Sequence, residues 1–127
     1  MKTETIGTAS LETWSVAETA AAFARNEVVL IDVRTAQEYL FEHIEGALLL
    51  PMSFFQAEKL PGQQAKRIVF LCGSGIRSDK VARKAIESGM TPVAHLEGGF
   101  AAWKAAGQPY IGTDMATGGP KRINPAA

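Results

Sequence analysis

A single cysteine, Cys72, stands in 127 residues. That one thiol excludes any disulfide within the chain and any cysteine-cluster metal site. Small secreted domains of this size often carry several disulfides, so a reducing compartment is expected, with the cytoplasm as the default. An excess of one charge is also missing, because thirteen Lys and Arg balance thirteen Asp and Glu. No global field therefore recruits nucleic acid or an anionic membrane. No apolar run approaches the roughly 20 residues of a membrane span. Met1 to Trp14 is polar, with nothing resembling a signal-peptide core. No internal repeat is visible. What remains is ordinary globular chain, 46% hydrophobic and 20% charged, enough for one domain and one core.

Short apolar segments alternate with amphipathic ones. Val28-Val29-Leu30-Ile31, Ala47-Leu48-Leu49-Leu50 and Ile68-Val69-Phe70-Leu71 read as strands buried on both faces, and Val93-Ala94-His95-Leu96 as a fourth. Ser15-Val16-Ala17-Glu18 has the capping-box pattern and opens a helix to about Arg25; Thr35-Ala36-Gln37-Glu38 repeats that pattern. Ser53 is a candidate cap for a short helix through about Leu60, stopped by Pro61-Gly62. Val81, Ala82, Ala85 and Ile86 make an apolar stripe, with Lys80, Arg83 and Lys84 on a solvated face and Gly89 as the stop. A last helix is predicted from Phe100 to Ala106. Strands alternating with helices predict an α/β fold, a mostly parallel sheet covered on both faces, with its ligand site at the carboxyl ends of the strands. Residues 111–127 hold three Gly, two Pro and little apolar character; they are expected to form a flexible tail after a domain over 1–110.

Cys72-Gly73-Ser74-Gly75-Ile76-Arg77-Ser78 follows a buried strand directly and leads into a helix. A thiol at such a junction lies near unsatisfied N–H groups and the positive end of the helix dipole. The glycines let the backbone close into a nest of amides around one anion, and Arg77 adds a cation. These features should lower the thiol pKa from its free value of about 8.5. The blander reading is a cysteine serving as a small buried hydrophobe, but a core cysteine needs neither an anion nest nor an arginine. A nucleotide-binding P-loop lacks support, because the Lys-Ser/Thr pair and its spacing are absent.

Three blocks in order resemble rhodanese-like domains over roughly residues 10–110. They are Leu30-Ile31-Asp32-Val33-Arg34 through Glu38-Tyr39 to His43-Ile44-Glu45-Gly46-Ala47; the Cys72 loop; and Leu96-Glu97-Gly98-Gly99-Phe100-Ala101-Ala102-Trp103 with Gly107 and Pro109. The resemblance implies a three-layer rhodanese-like fold. It also implies a sulfurtransferase in which Cys72 carries sulfur as a persulfide and residues 73–77 (Gly73, Ser74, Gly75, Ile76, Arg77) cradle it, with Ser78 in support. Asp32 would organise the region under the loop, and Arg34 would tie to a neighbouring carboxylate such as Glu38. No metal or organic cofactor is implied. The implied partners are a small sulfane donor, a thiophilic acceptor such as cyanide or a thiol, and a sulfur-relay protein as a further option. Four residues separate Cys72 from Arg77, matching the family's six-residue sulfurtransferase loop. Related phosphatases and arsenate reductases carry one residue more, and a lone cysteine also disfavours a disulfide-cycling reductase. The other rival is a catalytically idle binding module.

Some features depart from the family or compete for roles. Thiosulfate-specific relatives often place basic residues where this chain has Gly73, and the two-domain thiosulfate enzymes carry an arginine at Glu38, so thiosulfate is expected to be a poor donor. Glu45 replaces a usual proline. His43 and His95 are expected to be structural, since a preformed thiolate needs no base. Gly98-Gly99 reads as a tight strand-to-helix turn that lets Phe100 and Trp103 pack closely, and Trp14 and Trp103 as core residues.

Overall fold

The computed structural model describes residues 1–125. Its centre is a six-stranded sheet built from β1 (Lys2–Ile6), β2 (Ala9–Trp14), β3 (Val28–Asp32), β4 (Leu48–Leu49), β5 (Arg67–Leu71) and β6 (Val93–Leu96). The strands lie in the order β1-β2-β6-β5-β3-β4. Only the β1–β2 hairpin is antiparallel; β2–β6, β6–β5, β5–β3 and β3–β4 all pair in parallel. Helices α1 (Val16–Ala24), α2 (Ala36–Phe41), α3 (Ile76–Glu87) and α4 (Gly99–Ala105) complete the three layers.

Alternation along the strands divides the core in two. Leu30, Val69, Leu71, Ala94 and Leu96 point to one face, where Ala22 of α1 and Phe100 and Trp103 of α4 cover them. Ile31, Ile68, Phe70, Cys72 and Val93 point to the other, against Val81, Ala82 and Ala85 of α3. A period of two on the strands thus meets the helical stripe predicted for α3. Both predicted capping boxes form: Ser15 and Glu18 exchange side-chain and backbone bonds at α1, and Thr35 and Glu38 do so at α2.

Three expectations need correction. The Leu-rich segment at 47–50 contributes only Leu48–Leu49 to the sheet, as the edge strand β4, and Leu48 is exposed. Ser53 caps no helix; Met52–Phe54 and Ala57–Lys59 form separate 3-10 turns without side-chain caps, split by extended residues at Phe55 and Gln56. Most of the segment expected as a flexible tail is also ordered. Strands β7 (Tyr110–Thr113) and β8 (Pro120–Ile123) form a hairpin. It docks through a bridge between Ile111 and His43, a Thr113 hydroxyl donating to the Phe41 carbonyl, and an Arg122–Glu45 ion pair. Tyr110 is buried edge-on against Phe100, which anchors the hairpin's start. Residues 126 and 127 of that tail lie outside the described residues. Among the described residues, no helix is long and apolar enough to cross a membrane.

Candidate active site

Cys72 is the first residue after β5, and Gly75, the N-cap of α3, has a left-handed φ of 103° that turns the chain sharply at the helix entrance. The Gly75 amide donates to Cys72 Sγ at 3.0 Å, and Ser78 Oγ lies 3.5 Å from the same sulfur. Burial pushes the thiol upward. Hydrogen bonds from the Ser78 hydroxyl and from the amides of Ser78, Gly75 and Ser74 outweigh it and hold the pKa below the ordinary value. The side chain is fully enclosed, so a reagent reaches it only by displacing part of the loop's rim.

Arg77 lies beside that rim but not free. Its Nη1 and Nη2 donate to Glu38 Oε1 and Oε2 at 2.7 and 2.9 Å. The pair sits over the start of the loop, since a Cβ added at Gly73 would come within 3.1 Å of Arg77 Nη2 and 3.8 Å of Glu38 Oε2. Hydrogen bonding to Arg77 is the chief reason that the Glu38 carboxyl is held down to about 2. Glu38, expected as an example of the carboxylate that Arg34 would take, pairs with Arg77 instead. Arg34 folds back on Asp32, with Nε donating to both carboxylate oxygens at 3.0 and 3.1 Å and Nη2 to Oδ2 at 2.8 Å. Its Nη2 also donates to the Glu42 carbonyl, and its guanidinium lies 4.7 Å from the centre of the Phe100 ring. Asp32 is wholly buried and Arg34 nearly so. The pair therefore braces the end of β3 instead of offering charge to a ligand.

The loop is also clamped from behind, a role that sequence reasoning missed for its third motif. Gly98 and Gly99 both adopt positive φ, which turns the start of α4 into the loop. There the Phe100 amide donates to the Cys72 carbonyl at 2.7 Å and the Ala101 amide to the Gly73 carbonyl at 3.0 Å. A Cβ at Gly99 would fall 2.3 Å from the Cys72 carbonyl oxygen, so the contact requires glycine. With its carbonyls held outward, the loop keeps its amides on the sulfur. Ile76 is exposed at the turn.

The two histidines part company. His43 stacks on Tyr39 at 4.0 Å and its Nδ1 lies 2.7 Å from the Tyr39 carbonyl, a local structural contact. His95 is buried, and its Nδ1 lies 3.0 Å from Ser78 Oγ. Among the described residues, no three His, Cys, Asp or Glu side chains converge to hold a metal ion. A mainly apolar cleft of about 450 Å³ lined by Phe23, Trp103 and Ile123 includes none of the loop residues.

The family model for the rhodanese-like domain matches residues 15–106. The chain belongs to the rhodanese-like family. The chain is 38% identical over 92 residues to the uncharacterized protein slr1261 of Synechocystis, covering 72% of this chain and about half (51%) of that protein. It is 35% identical over 95 residues to the thiosulfate sulfurtransferase GlpE of Coxiella burnetii, covering 75% of this chain and 83% of GlpE. The structure of a rhodanese-related protein from Thermoplasma volcanium superposes with a TM-score of 0.69 at 22% identity, covering 79% of this chain and 97% of that one. That likeness carries the fold alone, a mostly parallel sheet between helices.

Proposed function

We propose that this rhodanese-like domain is a sulfurtransferase in which Cys72 accepts and passes on a sulfane sulfur. The observation that carries the reading is a wholly buried sulfur whose pKa is nonetheless lowered, because a hydroxyl and main-chain amides are aimed at it. A sulfur serving only as core packing gains nothing from those donors. The likeness to a protein named thiosulfate sulfurtransferase points the same way.

The reaction balances without a cofactor. With thiosulfate, the Cys72 thiolate attacks the outer sulfur; the S–S bond of the donor breaks, sulfite leaves with the bonding pair, and Cys72–S–S⁻ remains. A nucleophile such as cyanide then takes the terminal sulfur as thiocyanate and returns the thiolate. Both steps conserve charge and involve no proton. The terminal persulfide sulfur would project past Gly73, towards the rim where Arg77 and Glu38 meet. Because Arg77 is engaged by Glu38, a dianionic donor meets a locally neutral mouth. The substrate class favoured is accordingly a low-charge sulfane donor or a persulfidated partner, with thiosulfate poorer.

Incubation with a sulfane donor should add about 32 Da to the protein, as one sulfur on one cysteine requires. Cyanide should remove it, and Cys72→Ser should never acquire it. A wild type that stays unmodified by thiosulfate, an organic trisulfide and a glutathione persulfide alike, yet hydrolyses an aryl phosphate, would replace this reading with the phosphatase one.

A further inference from the structure

A chain of polar groups runs from the sulfur through α3 and β6 to β2, and the reaction just described leaves it unused. Cys72 Sγ meets Ser78 Oγ at 3.5 Å, Ser78 Oγ meets His95 Nδ1 at 3.0 Å, and His95 Nε2 meets Thr13 Oγ1 at 3.3 Å. Ser78 and His95 are buried, while Thr13 is half-buried. The far end opens on a cleft of about 440 Å³ lined by Thr13, Ser74, Asp79, His95 and Glu97. Four elements supply the chain: the end of β5, α3, β6 and β2.

Donor counting gives this chain a direction. A serine hydroxyl has one proton to donate, and a neutral imidazole has one N–H and one acceptor nitrogen. If Ser78 gives its proton to His95 Nδ1, it has none for the sulfur. If Nδ1 carries the proton instead, the Ser78 hydroxyl is left with the sulfur and the Gly75 carbonyl at 3.3 Å as acceptors, of which a thiolate is the stronger, and His95 Nε2 accepts from Thr13. We propose that His95 is a positioning residue for the sulfur site: its Nδ1–H orients the Ser78 hydroxyl toward the Cys72 thiolate, and the whole chain reverses when that sulfur is protonated. The inference rests on the reading of Cys72 as a working thiolate.

The proton balance closes. Starting from the thiol, the sulfur's proton passes to Ser78 Oγ, the Ser78 proton to His95 Nδ1, and the Nε2 proton to Thr13 Oγ1. The hydroxyl proton of Thr13 leaves to water in the cleft. No atom changes oxidation state, and the proton exits into the cleft lined by Thr13 and His95. The charged groups around the imidazole are Asp79, 3.9 Å from Nε2, and Arg83 on α3, with Lys80 of α3 lining the same cleft, Glu97 just beyond β6 and Lys2 on β1 pairing with Glu97. Burial outweighs the acidic neighbours and lowers the imidazole pKa, which favours the neutral tautomers that the proton chain requires.

Wild-type protein allows the first test. Long-range proton–nitrogen spectra should show His95 changing from Nε2–H to Nδ1–H as the ultraviolet thiolate absorbance of Cys72 rises with pH. A His95 tautomer indifferent to the sulfur's ionisation would overturn the proposal. Variants provide the second test, read as the pH profile of Cys72 alkylation. Ser78→Ala and His95→Phe should each raise the thiol pKa by about one, a roughly tenfold loss of thiolate at a pH below it. Ser78→Ala/His95→Phe should be no worse than Ser78→Ala alone, because the histidine acts through the serine. His95→Asn, which can place an N–H where Nδ1 was, should keep the wild-type profile better than His95→Phe, although Phe fills the buried space better. Additive effects, or Phe rescuing as well as Asn, would mean that His95 only packs. If His95→Phe does not fold, His95→Asn and the wild-type spectra still decide. Sulfur uptake by the wild type, measured by mass, separates the two claims: uptake with an inert His95 sinks only this one, whereas no uptake sinks the sulfurtransferase reading.

Discussion

Replacing Glu38 by Gln keeps size and shape but removes the charge that occupies Arg77. The freed guanidinium then faces the mouth of the loop, since the pair already lies over Gly73. A unit charge about 4 Å from another is worth about 1 kcal/mol in water and about 4 kcal/mol at an effective dielectric constant of about 20. Arg77 is about a third exposed, which favours the lower figure, so a dianionic donor should gain about 2 kcal/mol. That is up to about 30-fold in kcat/KM for sulfur loading from thiosulfate. A neutral organic trisulfide should change by less than about twofold. The thiosulfate gain should also shrink as salt shortens the screening length below its physiological value of about 8 Å. The assay is single-turnover loading followed by mass, at low and high ionic strength. Arg77→Ala in the Glu38→Gln background should abolish the gain. Equal changes for both donors, or no rise with thiosulfate, would refute the idea that Glu38 neutralises the mouth.

The same variant has a stability signature. In the folded chain the Glu38 carboxyl is lowered from 4.5 to about 2, so its stabilising contribution is complete above the unfolded value and is lost as pH falls through about 2. Partial exposure and solvent screening reduce that contribution to about 1 kcal/mol. Melting curves of Glu38→Gln and wild type should therefore differ at neutral pH and converge in acid.

Two other substitutions probe the frame around the sulfur. Asp32→Ala leaves Arg34 buried without its partner and should destabilise the domain by about 3–5 kcal/mol, read by denaturant unfolding; a loss under about 1 kcal/mol would mean that Arg34 escapes to solvent. Gly99→Ala drives a Cβ to 2.3 Å from the Cys72 carbonyl oxygen at a φ of +60°. It should abolish sulfur loading while costing on the order of 1–3 kcal/mol in stability, and unchanged loading by mass would show that the loop tolerates losing its clamp.

Local rules carried the sequence reading wherever the signal was local. The two capping boxes, the apolar stripe of α3 and the continuous apolar runs of β3 and β5 each depend on neighbours within a few residues. Cys72 was legible because a thiol, three small residues and an arginine follow a buried strand at once. The N-terminal hairpin was not, since β1 is nearly all exposed and offers no apolar alternation. The terminal hairpin was hidden for a related reason: only Tyr110 and Gly112 of β7 are buried, and β8 has no fully buried residue. Ion-pair partners failed hardest. Arg34 stands four positions before Glu38, yet Glu38 pairs with Arg77, 39 positions away, a choice that no local rule makes. His95 read as a structural strand residue, because its partners, Ser78 and Thr13, stand 17 and 82 positions away.

The charge inventory of the site explains why the amides matter more than the arginine. Arg34 is spent on Asp32 and Arg77 on Glu38, so neither cation is free to balance a sulfur anion. The sulfur's stabilisation must come from dipoles: the Gly75 amide at 3.0 Å and the Ser78 hydroxyl, acting where little water competes. Dipoles of this kind stabilise an anion only if they cannot turn away. The Phe100 and Ala101 amides enforce that by holding the Cys72 and Gly73 carbonyls from the far side, and His95 would do the same for the one donor that can rotate, the Ser78 hydroxyl. On the proposed function, a sulfur held by fixed dipoles would attract donors by shape and not by long-range charge. Donor preference then falls to the single ion pair at the rim, which is why one neutralised carboxylate at Glu38 is expected to change which donors the domain accepts.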